Sequence, residues 1–325
     1  MFISSGVSFR TFLLPVFLRI HSIHSYIGRV GVLKRWLDRH MKLVMVLPAL
    51  IFIVLMIIAP LAYNFSYSFT DWQMSLVKAP KFIGLQNYQE ILHDERFLNS
   101  VWRTIVFSFI AITVETLLGV ALAVLINRKF HGRRIVQALM LLPVVATPVA
   151  MGMVWKLMLE PSIGIANVVV EALGFQRRAF LATTGFESML WLIIIDIWEW
   201  TPMVMLMVYG GLQTIPLEPY ESALIDGASK WQTFTKITLP LASSSILIAV
   251  LMRLIDVIKT YDIIYATTQG GPSFATETIN IYGYLNMFAY YRFGKAAAIS
   301  VLFFIVVMAM GCGFLWVKSK VEVEY

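Results

Sequence analysis

The sequence predicts an all-α protein that crosses a membrane six times, and three observations lead there. Of its 325 residues, 59% are hydrophobic and 14% charged, against about 45–50% and about 25% in an ordinary soluble domain. Residues 43–70, 135–155 and 296–317 contain no Asp, Glu, Lys or Arg, and about 20 apolar residues rising about 1.5 Å each cross a hydrocarbon core about 30 Å thick. The basic residues gather at the ends of apolar windows instead of forming an aromatic-studded stripe, so the net charge of +7 reads as membrane topology and not as nucleic-acid binding.

Residues 1–41 form a basic leader too polar to span. Phe9, Phe12, Leu13, Val16, Phe17, Ile20, Ile23 and Ile27 recur at helical spacing, which suits an interfacial helix interrupted near Pro15; an unstructured leader is the alternative. No small-residue cleavage site follows, so a removable signal peptide is not expected. His21 and His24 have ligand-like spacing but no Cys or carboxylate cluster joins them. The membrane domain is expected over 42–318, followed by a short tail at 319–325.

Within that domain the first span is 43–70, and the second, 104–127, is interrupted only by Glu115. The third is 135–155. The fourth, 188–212, carries Asp196 and Glu199, and the fifth, 241–265, carries Arg253, Asp256 and Lys259. The sixth, 296–317, holds Cys312, the only cysteine, which excludes an internal disulfide. Residues 161–175 are too short to cross and 276–293 are rich in Tyr and Phe, so both suit helices lying at the outer interface.

Six spans put both termini on one side. With the N-terminus in the cytoplasm, fifteen of the 26 Lys and Arg residues fall inside and nine outside, Arg253 and Lys259 lying in a span. The excess of basic residues places both termini inside.

The inner loop between spans four and five, residues 214–240, carries the most specific pattern. Pro219 suits the first turn of a helix and Glu221 its positive end. Small residues at Ser222, Ala223 and Ala228 permit close approach, Gly227 permits a bend, and Pro240 marks the return to the membrane. Glu221, Ala223, Gly227, Ile237, Leu239 and Pro240 stand in the register Glu-Ala-Ala, three residues, Gly, nine residues, Ile, one residue, Leu-Pro. This resembles the coupling signature of binding-protein-dependent ABC permeases, with Ser222 in place of the usual Ala. The resemblance implies the type I ABC importer permease fold. It also implies that Glu221, Ser222, Ala223, Asp226, Gly227, Ala228, Ile237, Leu239 and Pro240 sit in a cleft on an ATPase subunit. The implied partners are two ATP-binding subunits that hold ATP and Mg, a second homologous permease, and an external solute-binding protein.

Residues 253–272 look like the end of span five in the maltose-type carbohydrate permeases, as do Thr276-Glu-Thr and the run from Gly294 to Ser300. Gly270, Gly271 and Pro272 end a helix at the outer surface, with contact to the solute-binding protein as a second role.

Two acidic groups at mid-bilayer cost about 5–7 kcal/mol and the aliphatic residues of span four return about 3–6. That face is therefore expected to turn towards other helices or a wet pathway, since three-residue spacing brings Asp196 and Glu199 together. With Trp198 and Trp200 they form either a polar clamp between helices or a wall of the pathway, where sugars offer hydroxyls to polar groups and C–H faces to rings. Arg253, Asp256 and Lys259 are expected to neutralise one another along one face, structurally or in gating. Direct contact with an anionic solute is the other reading. Glu115 is expected to be a buried, hydrogen-bonded carboxyl.

The chain has no Gly-x-x-x-x-Gly-Lys-Ser/Thr loop, so ATP must be hydrolysed elsewhere. A secondary transporter driven by ions, coupled through Asp196, Glu199 and Asp256, is the competing reading, although no inverted repeat is visible. An embedded hydrolase lacks both the His-Glu-x-x-His and the Gly-x-Ser-x-Gly motif.

Overall fold

The computed structural model describes residues 41, 43, 45–74, 79–128 and 130–321. The expectations for residues 1–40, His21 and His24 included, lie outside the described residues. Two units are distinguished, Met1–Tyr63 and Asn64–Tyr325. Helix α1, Met45–Tyr67, fills most of the first apolar window.

In the second unit, Thr70 bridges Phe82 in antiparallel fashion. Asn87 fixes this crossing from α2 (Gln86–His93) by donating to the carbonyls of Ser68 and Thr70 at 2.9 and 2.8 Å. Helix α3, Glu95–Asn127, begins where the Asp94 side chain accepts the Arg96 N–H, an N-cap that supplies one of the orphan donors of a first turn. It starts well before residue 104, because polar residues of its first turns find partners in the protein.

The third apolar window is not one straight crossing. It is broken into α4 (Arg133–Val145) and α5 (Pro148–Met158), bent by 95°. Pro148 is the reason: the residue before a proline is pushed out of the helical region, and Thr147 is extended, with ψ 135°. After the short α6 (Ile165–Ala172), α7 (Phe186–Leu212) runs unbroken through Pro202.

The inner loop forms α8 (Glu218–Ile225) and α9 (Lys230–Leu241), and α9 is bent by 63° from α10 (Ser243–Ile258). Pro240, expected to mark the return to the membrane, does not interrupt the helix: the chain stays helical through it. A wide turn over Phe234–Thr238, in which the Leu239 N–H bonds the Phe234 carbonyl, absorbs the missing donor and the ring clash, and the bend falls at Ala242. The fifth window is likewise split, since α10 ends at Ile258 and α11 (Asp262–Thr267) follows. The aromatic segment packs partly into the protein: in α12 (Ile279–Tyr284) Ile281 and Tyr282 are buried, whereas Phe288, Tyr290 and Tyr291 are exposed. Helix α13, Phe293–Val321, ends the described chain.

Among the described residues, four helices are long and apolar enough to cross a membrane, and up to six crossings result if each bent pair is one. α3, α7 and α10 pack against one another, around Phe107, Leu192, Ile195 and Val257 towards one end and Ala123, Val204, Val208 and Ala249 towards the other. The α3–α7 crossing is close because Gly119 has no side chain; a Cβ there would lie 2.6 Å from Val204 Cγ1.

Candidate translocation cavity and coupling loop

Three helices place a charge cluster in the core. Arg253 of α10 donates from Nε to Glu115 of α3 at 2.6 Å and from Nη2 to the same carboxylate at 2.9 Å. The same Nη2 donates to Asp196 of α7 at 2.6 Å. All three side chains are buried, and the Trp200 ring lies 4.9 Å from the guanidinium. Glu199, one turn along α7 from Asp196, is also buried, and its Oε2 has no hydrogen-bond partner.

This cluster opens on a cavity of about 360 Å³ whose wall includes Asp196, Glu199, Trp200 and Arg253, with Asp256, Lys259, Thr260 and Tyr261 beyond them. Pro148 closes one side. The broken third window thus supplies part of the cavity wall, through the first residue of α5.

The structure brings together Asp196, Glu199, Trp200 and Arg253 as one site, with Asp256 and Lys259 farther along the same wall, and separates Trp198 from them. Trp198 points elsewhere: it is 41% exposed and meets Trp155 edge-on at 5.4 Å. Of the expected mutual neutralisation of Arg253, Asp256 and Lys259 only the Asp256–Lys259 pair is present, and Arg253 is neutralised from other helices. Six residues of helix turn the side-chain direction by about 600°, leaving Lys259 about 120° around the axis from Arg253. Arg253 therefore points into the core, whereas Asp256 and Lys259 are half exposed and pair with each other at 3.5 Å. Glu115 proved to be the principal partner of Arg253, which no spacing argument reveals because 138 residues separate them. Tyr261 and Thr260 also escaped sequence reasoning, since they lie where span five breaks.

The inner loop is a stiff elbow. α8 ends with the Ala228 N–H on the Ala223 carbonyl at 2.9 Å and the Gly227 N–H on the Leu224 carbonyl at 3.2 Å, with Gly227 at φ +70°. This is the six-residue helix stop that favours glycine. Two residues later Ser229 opens α9 through reciprocal bonds with Gln232, a capping box. Ala223 is buried within the elbow, so it closes the bend and is not offered to a partner as the small-residue pattern suggested. The outward face is apolar instead: Leu224 and Ile225 are 79% and 86% exposed and Trp231 is 72% exposed. Glu221, Ser222 and Asp226 are exposed beside them, Ile237 is half-buried, and Leu239 and Pro240 are exposed just after the wide turn.

At the opposite end of α3, ion pairs fasten the aromatic segment. Arg96 forks onto Glu277 at 2.6 and 2.7 Å, with the Phe274 ring 3.7 Å beneath it. Asp94 accepts from the Tyr282 hydroxyl at 2.5 Å and from Lys295 at 2.9 Å. Burial raises the Asp94 pKa, but these donors outweigh it and hold the carboxyl below its ordinary value.

The family model for the binding-protein-dependent transport system inner membrane component matches residues 115–321. The chain belongs to this family. The match begins at Glu115 and takes in the buried cluster and the whole elbow. Among relatives of this permease, the trehalose/maltose transport system permease protein MalF of Thermococcus litoralis is 34% identical over 273 residues, 83% of this chain and 91% of its own. The sulfoquinovosyl glycerol transport system permease protein SmoG of Agrobacterium fabrum is 31% identical over 288 residues, 86% and 92% of the two chains. A chain from the crystal structure of a bacterial ABC transporter that imports the acidic polysaccharide alginate superposes with a TM-score of 0.78 at 22% identity, covering 90% of this chain and 99% of its own. That likeness establishes the permease fold, and family membership favours the ATP-driven reading over the ion-driven one.

Proposed function

We propose that this permease is one half of the membrane pathway of an ATP-driven bacterial importer for a sugar, oligosaccharide or related solute. It works in the cytoplasmic membrane with a second homologous permease, two ATP-binding subunits and an external solute-binding protein. Each bent helix pair counts as one crossing, giving six, with both termini in the cytoplasm. The elbow of residues 214–240 sits in the ATPase cleft, and opening and closing of that cleft moves the spans. Asp196, Glu199, Trp200 and Arg253, with Asp256 and Lys259 at the mouth, border the solute path; Trp198, facing away, does not. Relatives named for trehalose, maltose and sulfoquinovosyl glycerol support the carbohydrate class.

The observation that carries this reading is the elbow. A large exposed apolar surface at Leu224, Ile225 and Trp231 needs a partner, and here it is held by a helix stop and a helix start only two residues apart. Such a piece transmits displacement without absorbing it. In a Cys312→Ser background, Leu224→Cys should cross-link to a cysteine placed in the ATPase cleft, and ATP should change the yield. Absence of any cross-link to the ATPase from positions 222, 224 and 225 in the assembled importer would sink the proposal.

A further inference from the structure

We infer that the cavity beside Arg253 admits uncharged carbohydrate and rejects carbohydrate bearing a carboxylate, sulfonate or phosphate. The inference rests on the reading that this cavity lies on the solute path and adds the sign of charge it accepts.

The permease fold does not fix that sign, since it also serves an importer of the acidic polysaccharide alginate. The side chains decide it. Arg253 is the one cation in the inner wall among the described residues, and its charge is answered twice, by Glu115 and by Asp196. Trp200 covers a face of its guanidinium. Lys259, the other cation in the wall, is paired with Asp256. No cation is left unanswered for an incoming anion.

Glu199 supplies the independent observation. It is 1% exposed, lines the cavity, and its Oε2 meets no donor. A buried acceptor in that state lacks a hydrogen bond worth making, and a sugar hydroxyl that reached the carboxylate would donate one. A solute carboxylate or phosphate offers no donor and adds a like charge beside Asp196 and Glu199. Trp200 and Tyr261 in the same wall provide flat faces for the C–H side of a pyranose. The volume of about 360 Å³ is at the small end of ligand pockets, which run from about 300 to 1,000 Å³.

The test is equilibrium dialysis of the complete importer in nanodiscs without its external receptor, which removes the receptor's own selectivity. The probes are labelled trehalose and maltotriose at millimolar concentration and maltotriose oxidised to a terminal carboxylate. The expected result is binding of at least one neutral sugar, lost with Trp200→Ala, and binding of the carboxylated sugar at least roughly tenfold weaker, because like-charge contact costs several kcal/mol. Glu199→Gln, which keeps the shape and removes the charge, should narrow that ratio. Carboxylated sugar binding as well as the neutral ones, or a ratio unmoved by Glu199→Gln, overturns the charge selectivity alone. If no neutral sugar binds, or Trp200→Ala leaves neutral binding intact, the pathway reading itself fails and the inference with it.

Discussion

Arg253 is held by two carboxylates from two other helices, and removing one partner from a buried ion pair costs far more than removing all of them. Arg253→Met strands Glu115 and Asp196 in the core and should destabilise the assembled permease by about 3–5 kcal/mol, read as a lower melting temperature in nanodiscs. Adding Glu115→Gln and Asp196→Asn to the same chain should recover most of that loss, since neither of the two stranded carboxylates remains. A triple variant no more stable than Arg253→Met would show that the cluster is not acting as an ion pair. Asp94 gives a prediction in pH. Its folded pKa is below the ordinary 3.8, so its contribution is fully present above that value and is lost as pH falls through the lower, folded one. The stability difference between wild type and Asp94→Asn should be constant from pH 7 to about 5 and close only in strong acid. A gap that closes near neutrality would contradict this assignment.

At the scale of the element, the elbow depends on the backbone of Gly227. A φ of +70° costs an ordinary L-residue about 1–2 kcal/mol and a β-branched one more. Gly227→Val should leave the permease in the membrane but misdirect α9 relative to α8, lowering uptake at least about tenfold, whereas Gly227→Asn, which tolerates that region, should keep most of the activity. Uptake and ATP hydrolysis in proteoliposomes measure both, and equal uptake by the valine and asparagine variants would remove the conformational argument. The signature residues Glu221, Ala223 and Gly227 were legible in the sequence because they stand at fixed spacing. Ser229 and Gln232 were not singled out, because a capping box is visible only once the start of the helix is known. Pro240 was read from its missing N–H as the return to the membrane, and the wide turn that keeps the chain helical through it depends on neighbours that a propensity rule does not weigh.

At the scale of the whole molecule, topology is the testable quantity. In a Cys312→Ser background, cysteines at positions 222 and 229 should react with an impermeant thiol reagent only from the cytoplasmic face. Cysteines at 163 and 174 should react only from the outside. Labelling of both pairs from the same face would contradict six crossings. The apolar windows around residues 43–70 and 296–317 could be located by composition, because a long run free of charge has few other uses, and 188–212 by its apolar excess in spite of Asp196 and Glu199. The third and fifth windows misled in shape, because hydropathy records how apolar a stretch is and not whether Pro148 or the break after Ile258 turns it.

Composition and spacing alone determined that this chain lives in a membrane, where most of its helices lie, and which loop carries the coupling register. These are local properties, set by side-chain transfer free energies and by residues close in sequence. Only the tertiary structure decided that Arg253 belongs with Glu115 and Asp196, that Trp198 turns away, and that Glu199 faces a cavity without a donor. A buried charge is settled by whichever opposite charge packing brings within hydrogen-bond reach, and that partner came from a helix 138 residues away.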